Sequence, residues 1–238
     1  MARLALPLSR YSACSCRPDR RPCPASLTAP AYGLQPRVDA LHREFGKAIR
    51  IDHHFVAIFG NTDDKVVGGW EKQGGPAAYS AHVAGVAQRL GGVAVHPEIW
   101  VRNRPATSLT PHLVLEAIRL LRDRGALDGI CGDDFDGRCL VEEAAWRIRL
   151  AFFRDLRDVG RMDVVESVVA EVGVPLAAVR EEIATGRALA ALCKEIEARF
   201  EQRIEGSPTF VLDGGRQKLY GNLSTPVLSA NVRALLGS

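Results

Sequence analysis

The stretches of this chain that can form β-strands stand far apart. Ile49-Arg-Ile-Asp-His-His-Phe-Val-Ala-Ile58 alternates and holds β-branched residues, so it reads as a strand. Thr209–Leu212 and Gln217–Tyr220 flank Asp213-Gly-Gly215, a turn whose residues accept positive φ angles. Nearly everything from residue 76 to residue 203 reads as helix. Strand backbone groups need partners, and the sequence offers these segments few others. The expectation is that 49–58 and 209–220 pair with one another across the helical block, which then packs over one end of the strand-bearing unit.

The helices follow from apolar spacing. Leu34, Val38, Leu41 and Phe45 fall on one face, predicting a helix over 31–45 capped by Gly46. Further helices are predicted over 77–90, over 111–124 with Thr110 as N-cap, and over 140–156. Others follow over 163–172 ending at Gly173, 175–185 ending at Gly186, 188–200, and 226–236. A first strand is expected near 21–26, although the residues there barely support it. No internal repeat is present.

Composition narrows the class. Of 238 residues, 47% are hydrophobic and 25% charged, as in ordinary soluble domains. Residues 1–38 hold six arginines against one aspartate, while the rest holds 25 basic and 27 acidic residues. The body is therefore no nucleic-acid surface by charge. Residues 1–24 are rich in Arg, Pro, Ser and Cys without a period, and are expected to be an irregular segment; a transit segment or a misplaced start would look the same. No apolar run suits a membrane span, and a cytoplasmic protein is expected. The six cysteines (Cys14, Cys16, Cys23, Cys131, Cys139, Cys193) are expected to be free thiols.

No metal site is expected. His53 and His54 are adjacent on a strand and point to opposite faces. His96-Pro-Glu98 reads as a loop. Asp133-Asp-Phe-Asp-Gly137 begins like a calcium loop, but its twelfth position is Ala144 where a bidentate glutamate is needed. Phosphate loops, dinucleotide fingerprints and serine nucleophile elbows are absent from the sequence.

The most informative stretch is Glu205-Gly-Ser-Pro-Thr-Phe-Val-Leu212. Proline cannot donate to a ladder, so Pro208 belongs at the start of the strand. With Gly215-Arg-Gln-Lys-Leu-Tyr-Gly-Asn222, Phe135-Asp-Gly-Arg-Cys-Leu-Val-Glu-Glu-Ala-Ala-Trp146 and Tyr32, it resembles the DsbA-like thioredoxin-fold proteins. That group includes FrnE-like oxidoreductases and 2-hydroxychromene-2-carboxylate isomerases. The resemblance spans roughly residues 26–237. It implies an α/β thioredoxin-like fold interrupted by an α-helical insertion, with 25–60 and 204–238 as the thioredoxin part and 61–203 as the insertion. It also implies a cis peptide at Ser207–Pro208.

The same resemblance implies Cys-x-x-Cys at the start of the first helix, with an aromatic residue after it. Tyr32 fits the aromatic slot, so the two cysteine positions are Thr28 and Ala31. Both sulfurs are missing, and disulfide exchange is expected to be impaired or lost. A rival register makes Cys23-Pro-Ala-Ser26 a one-cysteine motif, with Cys23 as an alternative nucleophile.

Thr28, Ala31 and Pro208 are thus the candidate catalytic positions, and Tyr32, Ser207 and Thr209 the candidate substrate contacts. Two function classes stay open. One is an enzyme, an oxidoreductase by resemblance or a glutathione-dependent isomerase or transferase, using glutathione or another small thiol between Thr28 and Pro208. The other is a binding module that kept the fold without the chemistry. Glutathione is the one ligand the resemblance offers, and the expected partner is a small thiol or small-molecule substrate. Nothing in the sequence sets an oligomeric state.

Overall fold

The structure, a computed structural model, describes residues 23–25, 28–55, 58–90, 93–127, 135 and 137–237. Cys14, Cys16, Cys131 and most of the Asp133–Gly137 stretch lie outside the described residues.

The chain enters through a short strand, β1 (Cys23–Ala25), and turns into helix α1 (Ala29–Phe45). Thr28 is the N-cap of α1, a role its hydroxyl suits, and Pro30 sits in the first turn where no backbone donor is missed. Gly46 closes α1 at φ 47°, a conformation that glycine adopts freely. Strand β2 (His53–Phe55) then returns parallel to β1, in the register Cys23–His53, Pro24–His54 and Ala25–Phe55. The predicted strand over 49–58 is therefore shorter than its alternation suggests.

Among the described residues six α-helices follow: α2 (Gly75–Arg89), α3 (Leu109–Asp123), α4 (Leu140–Phe153), α5 (Met162–Ala170), α6 (Leu176–Ala184) and α7 (Arg187–Glu201). Each overlaps a predicted helix. The start of α3 corrects the expectation at Thr110. The cap is Ser108, and the Thr107 hydroxyl accepts from the Leu109 N–H at 3.1 Å, so the helix begins two residues early. Between β2 and α2 the chain makes a π-helical turn, Asp64–Gly68, and a 3₁₀ turn, Glu71–Gln73.

The chain ends in β3 (Thr209–Leu212), β4 (Gln217–Tyr220) and α8 (Thr225–Leu236). β3 and β4 are antiparallel, Thr209 opposite Tyr220 and Leu212 opposite Gln217. Their connection is a 3₁₀ turn, with Asp213, Gly214 and Gly215 all at positive φ.

The expected pairing of 49–58 with 209–220 is not found. Among the described residues the strands form two separate two-stranded sheets, β1–β2 and β3–β4. β2 pairs with β1 instead, and β1 also lies near β3. The hairpin satisfies itself across a few residues, and closing a short loop costs less entropy than closing one of 150.

Two cores hold this together. The larger joins α2–α7 to Tyr32, Phe55 and Phe59. The smaller lies on the other face of α1, where Leu34, Val38 and Leu41 meet Phe210 and Leu228. Helix α1 is thus packed on both faces, which fixes the position of its N-terminus. No described helix is long and apolar enough to cross a membrane.

Candidate functional site

The start of α1 faces the loop that leads into β3. The Thr28 hydroxyl accepts from the Ala31 N–H at 3.3 Å and donates to Ser207 Oγ at 3.5 Å. One side chain therefore caps the helix and bridges to a loop 179 positions away. The Ser207–Pro208 peptide is cis. The Pro208 carbonyl accepts from the Gly221 N–H at 2.9 Å, which ties the loop to the end of β4.

In front of this bridge lies a cleft of about 350 Å³, inside the range that small ligands use. Thr28, Pro30, Glu205, Gly206 and Ser207 form one wall. The other comes from residues 58–86 and includes Phe59, Lys65, Trp70, Tyr79 and His82. Trp70 packs 5.1 Å, between ring centres, from both Tyr79 and His82. Lys65 Nζ stands 5.4 Å over the Phe59 ring. Burial pushes the Tyr79 phenol up to about 12, so it stays protonated at neutral pH.

The structure divides the residues singled out from sequence. Thr28 and Ser207 line the cleft; Pro208 is buried and shapes the loop behind them. Ala31 is buried one turn into the helix. Tyr32 and Thr209 are not cleft contacts. Tyr32 is 1% exposed, stacks on Phe153 at 4.9 Å and on Trp146 at 5.3 Å, and donates its hydroxyl to the Ala94 carbonyl at 2.9 Å. Burial raises its phenol as well. Thr209 is fully buried and spends its hydroxyl on the Gly206 carbonyl at 2.8 Å. An aromatic ring following the helix start serves the larger core, and a threonine opening β3 serves the loop. Cys23 falls in β1 and not at the helix start, so the helix takes the register that begins with Thr28.

Sequence reasoning missed the second wall. Lys65 and Trp70 lie in what reads as an irregular loop. Tyr79, His82, Val83 and Val86 stand at i, i+3, i+4 and i+7 of α2, a helical face whose polar members were a usable signal.

Below the site, α1 is bound by buried polar groups. Gln35 Nε2 donates to Glu142 Oε1 and to Asp39 Oδ1, both at 3.0 Å. Arg149 donates to Gln35 Oε1 at 3.1 Å, and Arg138 forks onto Asp39 at 2.8 and 2.9 Å. His42 and His53 approach Glu142 at 3.0 and 3.3 Å. Burial alone would raise the Glu142 carboxyl, but the two histidines more than offset it and hold the group well below the usual range. The bond to Glu142 raises His42 in turn. This network fixes α1, and with it the direction in which Thr28 points. No group of side chains able to hold a metal occurs among the described residues.

No protein-family model and no curated protein matches the chain. Solved structures do. A protein of Streptomyces coelicolor designated a DsbA oxidoreductase matches over 91% of this chain and 89% of its own, at 16% identity and a TM-score of 0.65. The fold is the DsbA-like thioredoxin fold with its helical insertion. The cytosolic disulfide reductase DsbM of Pseudomonas aeruginosa covers 90% of this chain and 98% of its own, at 19% identity and a TM-score of 0.60, and a second structure of it contains GSH. A 2-hydroxychromene-2-carboxylate isomerase covers 90% and 94%, at 13% identity and a TM-score of 0.56.

Proposed function

We propose that this protein binds a small thiol, glutathione by preference, as its thiolate in the cleft beside the Thr28–Ser207 bridge, and that it performs no dithiol–disulfide exchange at the start of α1. The observation that carries this is the Thr28 hydroxyl. It caps a 17-residue helix, and its one proton is directed at Ser207 on the same wall of the cleft. An incoming sulfur anion can take that proton as a charge-assisted hydrogen bond, and the helix N-terminus favours its charge. Lys65 supplies a cation on the facing wall for a ligand carboxylate. A hydroxyl and a methyl stand at positions 28 and 31, so neither can form or resolve a mixed disulfide. A fold shared with a reductase solved with GSH and with an isomerase supports a thiol ligand. The reading is therefore of a glutathione-dependent isomerase or transferase, not of a dithiol oxidoreductase.

Isothermal titration with reduced glutathione and with S-methylglutathione tests this. The expected result is micromolar binding of glutathione and weaker binding of the methylated form. Thr28→Val should weaken glutathione alone about tenfold, the loss of one charge-assisted bond of about 1.4 kcal/mol. The variant also loses a helix cap worth ~1 kcal/mol, so its melting temperature is recorded alongside. Absence of heat at millimolar glutathione would overturn the proposal.

A further inference from the structure

A thiol that binds as a thiolate must give up its proton, and Thr28 cannot take it. Its oxygen already accepts from the Ala31 N–H, and an alcohol has no use for a second proton at neutral pH. Any protein group that accepts it has to stand elsewhere in the cleft. Lys65 offers donors and no acceptor. Tyr79 keeps its phenolic proton, because burial pushes it up to about 12. Glu205 lines the rim, and carboxylates are in general far too weak as bases to hold a thiol proton. His82 remains.

The six histidines of the chain sort cleanly. His42 and His53 approach Glu142 at 3.0 and 3.3 Å, and His54 is bonded to Glu195. His96 Nδ1 accepts from the Glu98 N–H at 3.1 Å. His112 is fully buried, and burial lowers it to about 3, so it stays neutral. His82 alone stands in the cleft wall, exposed, with its ring nitrogens unpartnered among the described residues. Trp70 packs against its ring at 5.1 Å and Tyr79 lies beside it at 6.3 Å. The ring contacts, tilted by 45° to Trp70 and 21° to Tyr79, hold the imidazole and leave its nitrogens for a ligand.

We infer that His82 is the catalytic base of this site: it takes the thiol proton of the bound ligand and returns it later in turnover. The inference rests on the thiol-binding reading above. In the step, the S–H bond breaks and its electron pair stays on sulfur, where the Thr28 hydroxyl donates to it. An N–H bond forms on His82, giving an imidazolium and a thiolate within one cleft. The charged groups facing the pair are Lys65 from the π-helical turn and Glu205 from the loop before β3. When sulfur attacks an electrophile, the imidazolium can hand the proton to the atom that receives the displaced electron pair, and the base is restored.

The test uses the near-ultraviolet absorbance of thiolate, read at 240 nm as a difference spectrum of protein with saturating glutathione against pH. In the wild type the thiolate should appear with a midpoint below the free-thiol value of about 8.5. His82→Gln and His82→Asn should still bind S-methylglutathione within about threefold of the wild type. Their thiolate midpoint should rise by about one unit, a tenfold loss of thiolate near neutrality. An unchanged midpoint in both variants overturns the assignment of His82 and leaves thiol binding standing. Loss of S-methylglutathione binding in both variants also overturns it, by showing that His82 is only part of the wall. A wild type that binds no glutathione defeats the thiol-binding reading itself, and with it this inference.

Discussion

In the proposed reading Thr28 acts through where it sits, not because threonine is reactive. The start of α1 is where the helix's unpaired N–H groups and partial positive charge converge. A thiol placed there would ionise early. Thr28→Cys combined with Ala31→Cys should therefore create a fast-reacting thiol whose pKa lies below the free value of about 8.5. Alkylation rate against pH, compared with wild type to subtract the native cysteines, reports it directly. The double variant should reduce insulin with a dithiol donor, and the wild type should not. A folded double variant whose new thiol titrates at or above the free value would mean that these are not the positions the helix activates. Wild-type activity that disappears with Cys23→Ser would transfer the chemistry to β1.

Helices α1 and α2 carry the two walls of the cleft, and their spacing is set by one residue. A Cβ built on Gly33 would lie 2.7 Å from Leu90 Cβ, so α1 approaches the end of α2 as closely as a missing side chain allows. Gly33→Ala should add roughly 1 kcal/mol of helix propensity and lose about 1–3 kcal/mol to overpacking. The expected net effect is a lower urea midpoint together with weaker glutathione binding, since α2 must move and takes Tyr79 and His82 with it. A variant as stable as wild type with unchanged affinity would show that the contact relaxes without moving the wall. Such a contact is invisible in sequence. The helices themselves were legible: Leu34, Val38, Leu41 and Phe45 mark α1 by their spacing, and Gly173 and Gly186 mark ends. Ser207-Pro208-Thr209 marked the loop facing the helix, and Thr28 the helix start. The second wall was not legible, because Lys65 sits in a short π turn and Trp70 just before a 3₁₀ turn, where there is no apolar period. Nor was the network under α1, since Gln35 and Glu142 are 107 positions apart and only the tertiary fold joins them.

The molecule as a whole is crossed by a second buried string of charge. His54 of β2 is bonded to Glu195 of α7, which meets Arg119 of α3 at 2.8 Å, and Arg119 meets Glu116 at 2.5 Å. Burial would raise Glu195, but His54 and Arg119 outweigh it and keep the carboxyl low. Glu116 goes the other way. It is fully buried, with Arg119 as its one close cation, and burial pushes it up to about 7 in spite of that contact. Its folded value thus lies above the ordinary carboxyl value of 4.5. A group shifted in that direction adds stability that is fully present below pH 4.5 and lost as pH rises through about 7. Between those limits the folded state holds a proton that the unfolded chain has released. Over the whole window the loss amounts to about 3 kcal/mol, at 1.36 kcal/mol per unit. Glu116→Gln keeps the shape of the protonated carboxyl and cannot ionise. Relative to wild type, the variant should therefore be close to neutral at pH 4.5 and more stable by about 2–3 kcal/mol at pH 8, the difference growing steadily between. Taking the variant against wild type at each pH cancels the titrations of His42 and Glu142, which both proteins share. Urea unfolding across this range measures it. A difference that stays constant from pH 4.5 to pH 8 would mean that Glu116 is ionised throughout, held by Arg119 strongly enough to offset its burial.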